Sequence, residues 1–252
     1  DGEFHRLRDE AEEQVRAIIT DAVADPTSGP VPSETTKVAT LYGAFMDAAA
    51  IEAAGLTPLR PDLEVVRAAT DRARLAAAIG SLQRDGVGGA IGLFVDTDSD
   101  DPTQYTLHFT QSGLGLPDES YYREEQHAAT LAAYREHMIR QLQLALTIDA
   151  GEATATADTV IALESRLAAG HWDRVRDRDA VATHNPVTPT ELAALLPGFE
   201  LEVWLAAQGV PTDLDHVDVR EPSYLQAFDQ AWTQVDLADW RAWLTWRAIR
   251  PR

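Results

Sequence analysis

The stretch "AIGLFVDTDSDDPTQYTLHFTQSGLGLPDESYY", Ala90–Tyr122, interrupts a chain that otherwise reads as helix. Its arms, "AIGLFVD" and "QYTLHFT", are rich in β-branched and aromatic residues, and "TDSDDP" separates them. That composition predicts a β-hairpin. Gly113, Gly115 and Pro117 then give a constrained turn, with Asp118 or Glu119 at the entrance of a helix. Alanine-rich helical sequence continues from there to about Leu146.

Helical spacing governs both sides of the hairpin. Upstream, Leu7, Ala11, Val15, Ile18 and Ile19 recur at the helical period and predict a helix from about Phe4 to Ala24. A loop, "DPTSGPVPS", ends it, and Ser33 caps a second helix whose stripe is Val38, Leu41, Phe45 and Ala49. Gly55 stops that helix. Pro61 opens a short helix through Val66, and Thr70 with Asp71 starts another carrying Leu75, Ile79 and Leu82.

Downstream, helices are expected over Ala153–Ala169, Leu201–Gln208, Pro222–Thr233 and Asp236–Ile249. "VTPTELAALLP" combines Thr188 as cap, Pro189 at the first helical position and Glu191 three residues after the cap, the pattern of a capping box. The expected fold class is mainly α with one β-hairpin. No repeat of fixed period interrupts it.

Composition narrows the function. The chain has 252 residues, 45% hydrophobic and 25% charged, which suits a packed globular core. Zero cysteine excludes disulfides, thiolate zinc sites and a cysteine nucleophile. A net charge of −20 argues against nucleic acid, which needs a basic face. No apolar run reaches membrane-spanning length. The start, "DGEFHRLRDEAEEQVRAII", has no initiator Met, and "DWRAWLTWRAIRPR" stops just past a periodic helix, so both ends are expected to be internal to a longer chain.

Catalytic motifs are sparse. The seven histidines stand at 5, 108, 127, 137, 171, 184 and 216, with no two at the four-residue spacing that aims both rings at one zinc. His127 and His137 share a helix but sit about 80° apart and about 15 Å along its axis. In "DTDSDD", Asp96, Asp98 and Asp100 match the first ligands of a calcium loop, but Asp101 and Leu107 fill the glycine and glutamate positions, so a solvated turn is expected. No G-x-S-x-G is present. "GVGGAIG" lacks a P-loop lysine and reads as close backbone packing before the hairpin. In "HWDRVRDRDAVATHN", Arg174, Arg176 and Arg178 alternate with Asp173, Asp177 and Asp179, which are expected to neutralise them. Tyr121, Tyr122 and Tyr134 are expected to anchor a turn to a core.

Six segments in order carry a resemblance: "FHRLRDEAE" (Phe4–Glu12), "LYGAFMDAAAIEAAGLTPLRP" (Leu41–Pro61), "GLFVDTDSDDPTQYTLHFTQSGLGLPDESYY" (Gly92–Tyr122), "ALESRLA" (Ala162–Ala168), "NPVTPTEL" (Asn185–Leu192) and "WRAWLTWRAIR" (Trp240–Arg250). Together they resemble the N-terminal part of the neprilysin-type zinc metallopeptidases, their actinobacterial members above all. One departure is His184, where the family often has tyrosine before the asparagine.

The resemblance implies that residues 1–252 form one mostly helical, lid-type region covering a peptide cavity. It implies a parent zinc endopeptidase acting on small peptides, with Zn²⁺ in the parent and none in this segment. Its H-E-x-x-H helix would then belong to a C-terminal catalytic domain, the partner of this region. The family's peptide side-chain pocket borders the first helix, so Phe4, His5 and Arg8 are the matching candidates for substrate binding. Phe4 and Arg8 share a helical face. The competing reading makes Phe4 a core anchor and Arg8 an ion-pair partner. For the whole chain, the alternative is a free-standing acidic helical interaction module.

Overall fold

A computed structural model describes residues 2–26, 33–211 and 213–250. The chain divides into two compact units, Asp1–Pro58 and Leu59–Arg252.

The first unit is helical. α1 (Glu3–Ala24) packs on α2 (Glu34–Met46), and α3 (Ala48–Ala54) follows. Ser33 caps α2 by accepting from the Thr36 amide at 3.1 Å. The single helix expected from Ser33 to Gly55 is instead two. At Asp47 the backbone leaves helical geometry (φ −78°, ψ 76°), and its carboxylate accepts from the Ala50 amide at 2.9 Å to start α3. An internal aspartate competing for its own backbone explains the break. The predicted apolar stripe does not become a core, since Leu41 is 74% and Phe45 77% exposed.

The second unit holds α4 (Arg60–Ala68), α5 (Arg72–Arg84), β1 (Ile91–Thr97), β2 (Tyr105–Gln111), α6 (Ala128–Leu146), α7 (Ala150–Ala168), β3 (Pro186–Val187), α8 (Pro189–Leu195), α9 (Leu201–Gln208), β4 (Val217–Val219), α10 (Pro222–Gln234) and α11 (Leu237–Ile249). Pro61 lies in the first turn of α4, and Asp71 caps α5 by accepting from the Arg74 amide at 2.8 Å. Thr188 and Glu191 form the expected capping box on α8.

The hairpin is antiparallel, Leu93 facing Phe109, and two short strands enlarge it to a four-stranded sheet of order β1-β2-β4-β3. β4 runs parallel to β2, and β3 antiparallel to β4. Strands of two and three residues carry too little periodicity to stand out in a sequence.

The helix expected to begin at Asp118 or Glu119 is delayed. Asp118 caps a 3₁₀ turn at Glu119–Tyr122, a second 3₁₀ turn covers Glu125–His127, and α6 begins only at Ala128.

The core gathers Phe199, which precedes α9, and the aromatic residues of α9, α10 and α11. Phe199 and Trp232 meet edge to face at 5.0 Å, Trp232 and Trp240 lie 5.1 Å apart, and Trp240 and Trp243 5.6 Å apart. Trp204, Trp232, Trp240, Trp243 and Trp246 are all fully buried. Such rings bury about 150–250 Å² each and gain about 0.5–1.5 kcal/mol per well-oriented pair beyond that burial. The "GVGGAIG" run packs closely as expected: a Cβ on Gly88 would collide with the Arg247 guanidinium.

Candidate functional site

Side-chain chemistry concentrates in four places, one on the first unit and three within the second.

On the first unit, α1 carries Phe4, His5 and Arg8. Phe4 is 87% exposed, which removes the core-anchor reading within the described residues. Arg8 donates to Asp9 Oδ1 at 3.0 Å and lies 3.6 Å from Glu12 Oε1. Arg8 also lines a groove of about 490 Å³ together with Glu12, Val15, Ile19 and Tyr42. Phe4 and His5 are not among its walls. Of the three candidates, the structure brings Arg8 to this groove.

In the second unit, Tyr122 accepts at its hydroxyl oxygen from the amides of Gly115 (2.9 Å) and Leu116 (3.0 Å) and donates to Glu164 Oε2 at 2.8 Å. Tyr134 lies 3.2 Å from Glu164 Oε1 and accepts from Trp246 Nε1 at 2.7 Å. Arg247 donates to the carbonyls of Gly88 (2.9 Å) and Leu114 (3.0 Å). Burial pushes the Glu164 carboxyl up to about 6, against the opposing effect of the tyrosine hydroxyls and Arg247. Glu164 is fully enclosed. The tyrosines thus anchor the glycine turn to α7 and α11. Tyr121 stacks on His127 with ring centres 4.0 Å apart.

A polar cavity of about 310 Å³ lies beside this joint, lined by Asp118, Glu119, His171, Trp172, Arg174 and Asp177 among others. Burial pulls His171 down to about 4, leaving it neutral near pH 7 with Nε2 3.0 Å from the Ser112 carbonyl. Close by, Glu221 accepts from the Gln111 amide at 2.7 Å; burial and the neighbouring Asp177 push its carboxyl up to about 7. The alternating Arg/Asp run does not neutralise itself as expected. Arg174 pairs with Asp118 at 3.2 Å, Arg176 stacks over Trp172 at 3.5 Å, and Asp177 lies 3.7 Å from Arg220. Asp173 and Asp179 instead accept from local backbone amides.

The acidic turn is also tied down rather than simply solvated. Asp98 is 5% exposed and accepts from His216 Nε2 at 2.6 Å. His184 places Nε2 3.1 Å from Asp100 Oδ2 and Nδ1 3.4 Å from Asp218 Oδ2.

Among the described residues no three His, Cys, Asp or Glu side chains converge to hold a metal ion. The described residues therefore offer no ligand set that fits a catalytic zinc, and no step of hydrolysis is assigned to them. No helix among the described residues is long and apolar enough to cross a membrane.

Comparison with known proteins identifies the architecture. The sequence profile of peptidase family M13 matches residues 1–252. Endothelin-converting enzyme-like 1 of Mus musculus is 30% identical over 98% of this chain and 33% of its own length. Neprilysin of Homo sapiens is 26% identical over 98% of this chain and 36% of its own. The zinc metalloprotease ZMP1 of Mycobacterium tuberculosis, solved in complex with an inhibitor, superposes with a TM-score of 0.91 at 45% identity, covering 98% of this chain and 38% of that one. PepO from Lactobacillus rhamnosis shares the fold, with a TM-score of 0.73 at 20% identity over 95% of this chain and 37% of that one.

The chain belongs to peptidase family M13 and corresponds to the N-terminal region of a neprilysin-like metallopeptidase. It spans about a third of the length of the curated relatives it matches.

Proposed function

We propose that this chain is the substrate-access region of a zinc endopeptidase that cleaves small peptides, and that it shapes the cavity without cleaving alone. The observation that carries this reading is the superposition on ZMP1, which uses nearly all of this chain but 38% of that enzyme. The exposed apolar residues of the first unit agree with it: Val15 and Ile18 of α1 and Leu41 and Phe45 of α2 are each more than half exposed. Apolar surface of that kind marks an interaction face, which on this reading another part of the parent covers.

Bound zinc supplies polarisation of the scissile carbonyl and activation of water in enzymes of this kind. This chain's contribution is to enclose the peptide and exclude bulk water, which strengthens polar contacts inside a closed site. Phe4, His5 and Arg8 would contact the peptide along α1. Phe4 offers an apolar ring and Arg8 a guanidinium for a backbone carbonyl or carboxylate.

The test is an assay of this chain with added zinc against short unstructured peptides, beside the intact protein. The chain alone is expected to give no turnover, while the intact protein cleaves and a chelator stops it. Zinc-dependent turnover by the chain alone sinks the proposal. So does a chain that neither binds an apolar dye nor self-associates, because the acidic interaction module would behave that way.

A further inference from the structure

The β1–β2 turn is held by histidine–carboxylate contacts that the proposed peptidase function does not use. Asp98 meets His216 just before β4, and Asp100 meets His184 just before β3. His184 turns its second ring nitrogen to Asp218 of β4. Asp218 also accepts from the Asn185 amide at 2.6 Å, and His108 Nδ1 of β2 stands 3.3 Å from its Oδ2. Asp101 lies in the same turn and accepts from Thr103 and Gln104. Three histidines therefore face three carboxylates, with Asp101 alongside, and His184 is the one whose two nitrogens reach carboxylates of two different elements.

A neutral imidazole has one N–H and one lone pair, whereas an imidazolium has two N–H donors. Neutral His184 can satisfy Asp100 or Asp218, and it aims its lone pair at the other carboxylate. Protonated His184 satisfies both and offsets their repulsion.

We propose that His184 is a protonation-dependent latch, which as an imidazolium bridges Asp100 of the β1–β2 turn to Asp218 of β4 and on losing its proton releases the turn. Burial alone would pull the His184 ring down, but Asp100 and Asp218 outweigh it and hold the ring above the ordinary 6.5. The linkage then has one sign. A raised histidine stabilises the closed turn in full below the ordinary value and loses that effect as the pH rises through the raised one. Asp98 is held below the usual carboxylate range by the Asp100 amide first and His216 second, so it stays charged and anchored throughout. The moving part is therefore the Asp100 side chain and the Thr103–Gln104 end of the turn, because Asp98 Oδ1 keeps its hold on the Asp100 amide at 2.8 Å.

Hydrogen exchange on the intact protein between pH 5.5 and 8 tests this, read as protection after correction for intrinsic exchange. Two amides report on the turn: Asp98, which donates to the Gln104 carbonyl at 3.0 Å, and Gln104, which donates to the Asp101 carbonyl at 2.9 Å. Protection of Gln104 is expected to fall about twofold to fivefold across the titration of His184, the span of a partly exposed ion pair. His184→Gln and Asp100→Asn should each flatten that step. The ring resonances of unmodified His184 give a readout independent of any variant, with a midpoint expected above 6.5. A step that survives in both variants, protection that does not change across the titration, or a midpoint below 6.5 would each overturn the latch.

Discussion

Tyr122 donates its hydroxyl hydrogen to Glu164 across 2.8 Å, joining the turn after the hairpin to the C-terminal half of α7. The same oxygen accepts from two backbone amides, so one side chain satisfies the amides of Gly115 and Leu116 and the buried carboxylate of Glu164. Tyr122→Phe removes the acceptor of both amides and a donor to a buried carboxylate. Leaving such groups unpaired costs about 1–3 kcal/mol each, so the variant should lose at least 2 kcal/mol in urea unfolding. A loss below about 0.5 kcal/mol would mean that water replaces the hydroxyl.

Glu164 should also leave a mark on the pH dependence of stability. Its carboxyl is raised from 4.5 to about 6, so the folded state holds its proton over a range where the unfolded state has lost it. Stability from this group is therefore complete below about pH 4.5 and declines as the pH rises through 6. The decline amounts to about 2 kcal/mol at 1.36 kcal/mol per pKa unit. Glu164→Gln should flatten that part of the profile in denaturant titrations at pH 4.5, 6 and 7.5.

Gly115 is required by the same joint, because a Cβ there would collide with the Tyr134 hydroxyl and ring. Gly115→Ala is expected to cost about 1–3 kcal/mol by overpacking. Tyr134→Phe shortens the obstructing side chain, so the double variant should lose less than the sum of the single losses. Strict additivity would place the strain elsewhere.

Substitutions on α1 should separate binding from folding. Phe4 is exposed, and among the described residues Arg8 pairs with Asp9 and Glu12, exposed carboxylates of its own helix. Phe4→Ala and Arg8→Ala should therefore change stability by less than about 0.5 kcal/mol. In the intact protein they should raise KM for peptides with kcat nearly unchanged, the signature of lost uniform binding. Unaltered kcat/KM in both would remove these residues from the peptide channel.

Thr188→Ala offers a local check on the fold. It removes the hydroxyl that accepts from the Glu191 amide at 3.3 Å and leaves the reciprocal half of the capping box. The expected loss is about 1 kcal/mol, measurable as a shift in denaturation midpoint at constant slope.

The legible parts of this fold are those with local signals. Ser33, Asp71 and Thr188 announce their helices by side-chain chemistry within three residues, and each caps as read. The hairpin arms announce themselves by composition. What escaped depends on partners distant in the sequence. Asp98 looks solvated until His216 is known to lie beside it, and Arg174 seems to belong with its neighbours until Asp118 is placed. Glu164 could have been found. Ala157, Val160 and Leu167 stand on the buried stripe of α7 at helical spacing, and a glutamate on that stripe signals a buried carboxylate needing donors. Phe4, His5 and Arg8 rest on resemblance, with the shared helical face of Phe4 and Arg8 as their one local signal, and of the three Arg8 lines the groove beside α1.

The parallel pairing of His108 and Phe109 with Asp218 and Val219 joins positions 110 residues apart. A ribosome adding roughly 5–20 residues per second needs roughly 5–20 s to deliver β4 after β2. Through that interval one side of β2 has unpaired amides and carbonyls, the condition that invites strands of other chains. Nascent chains halted before Val217 should therefore aggregate or recruit chaperones, and those long enough to release Val219 should not.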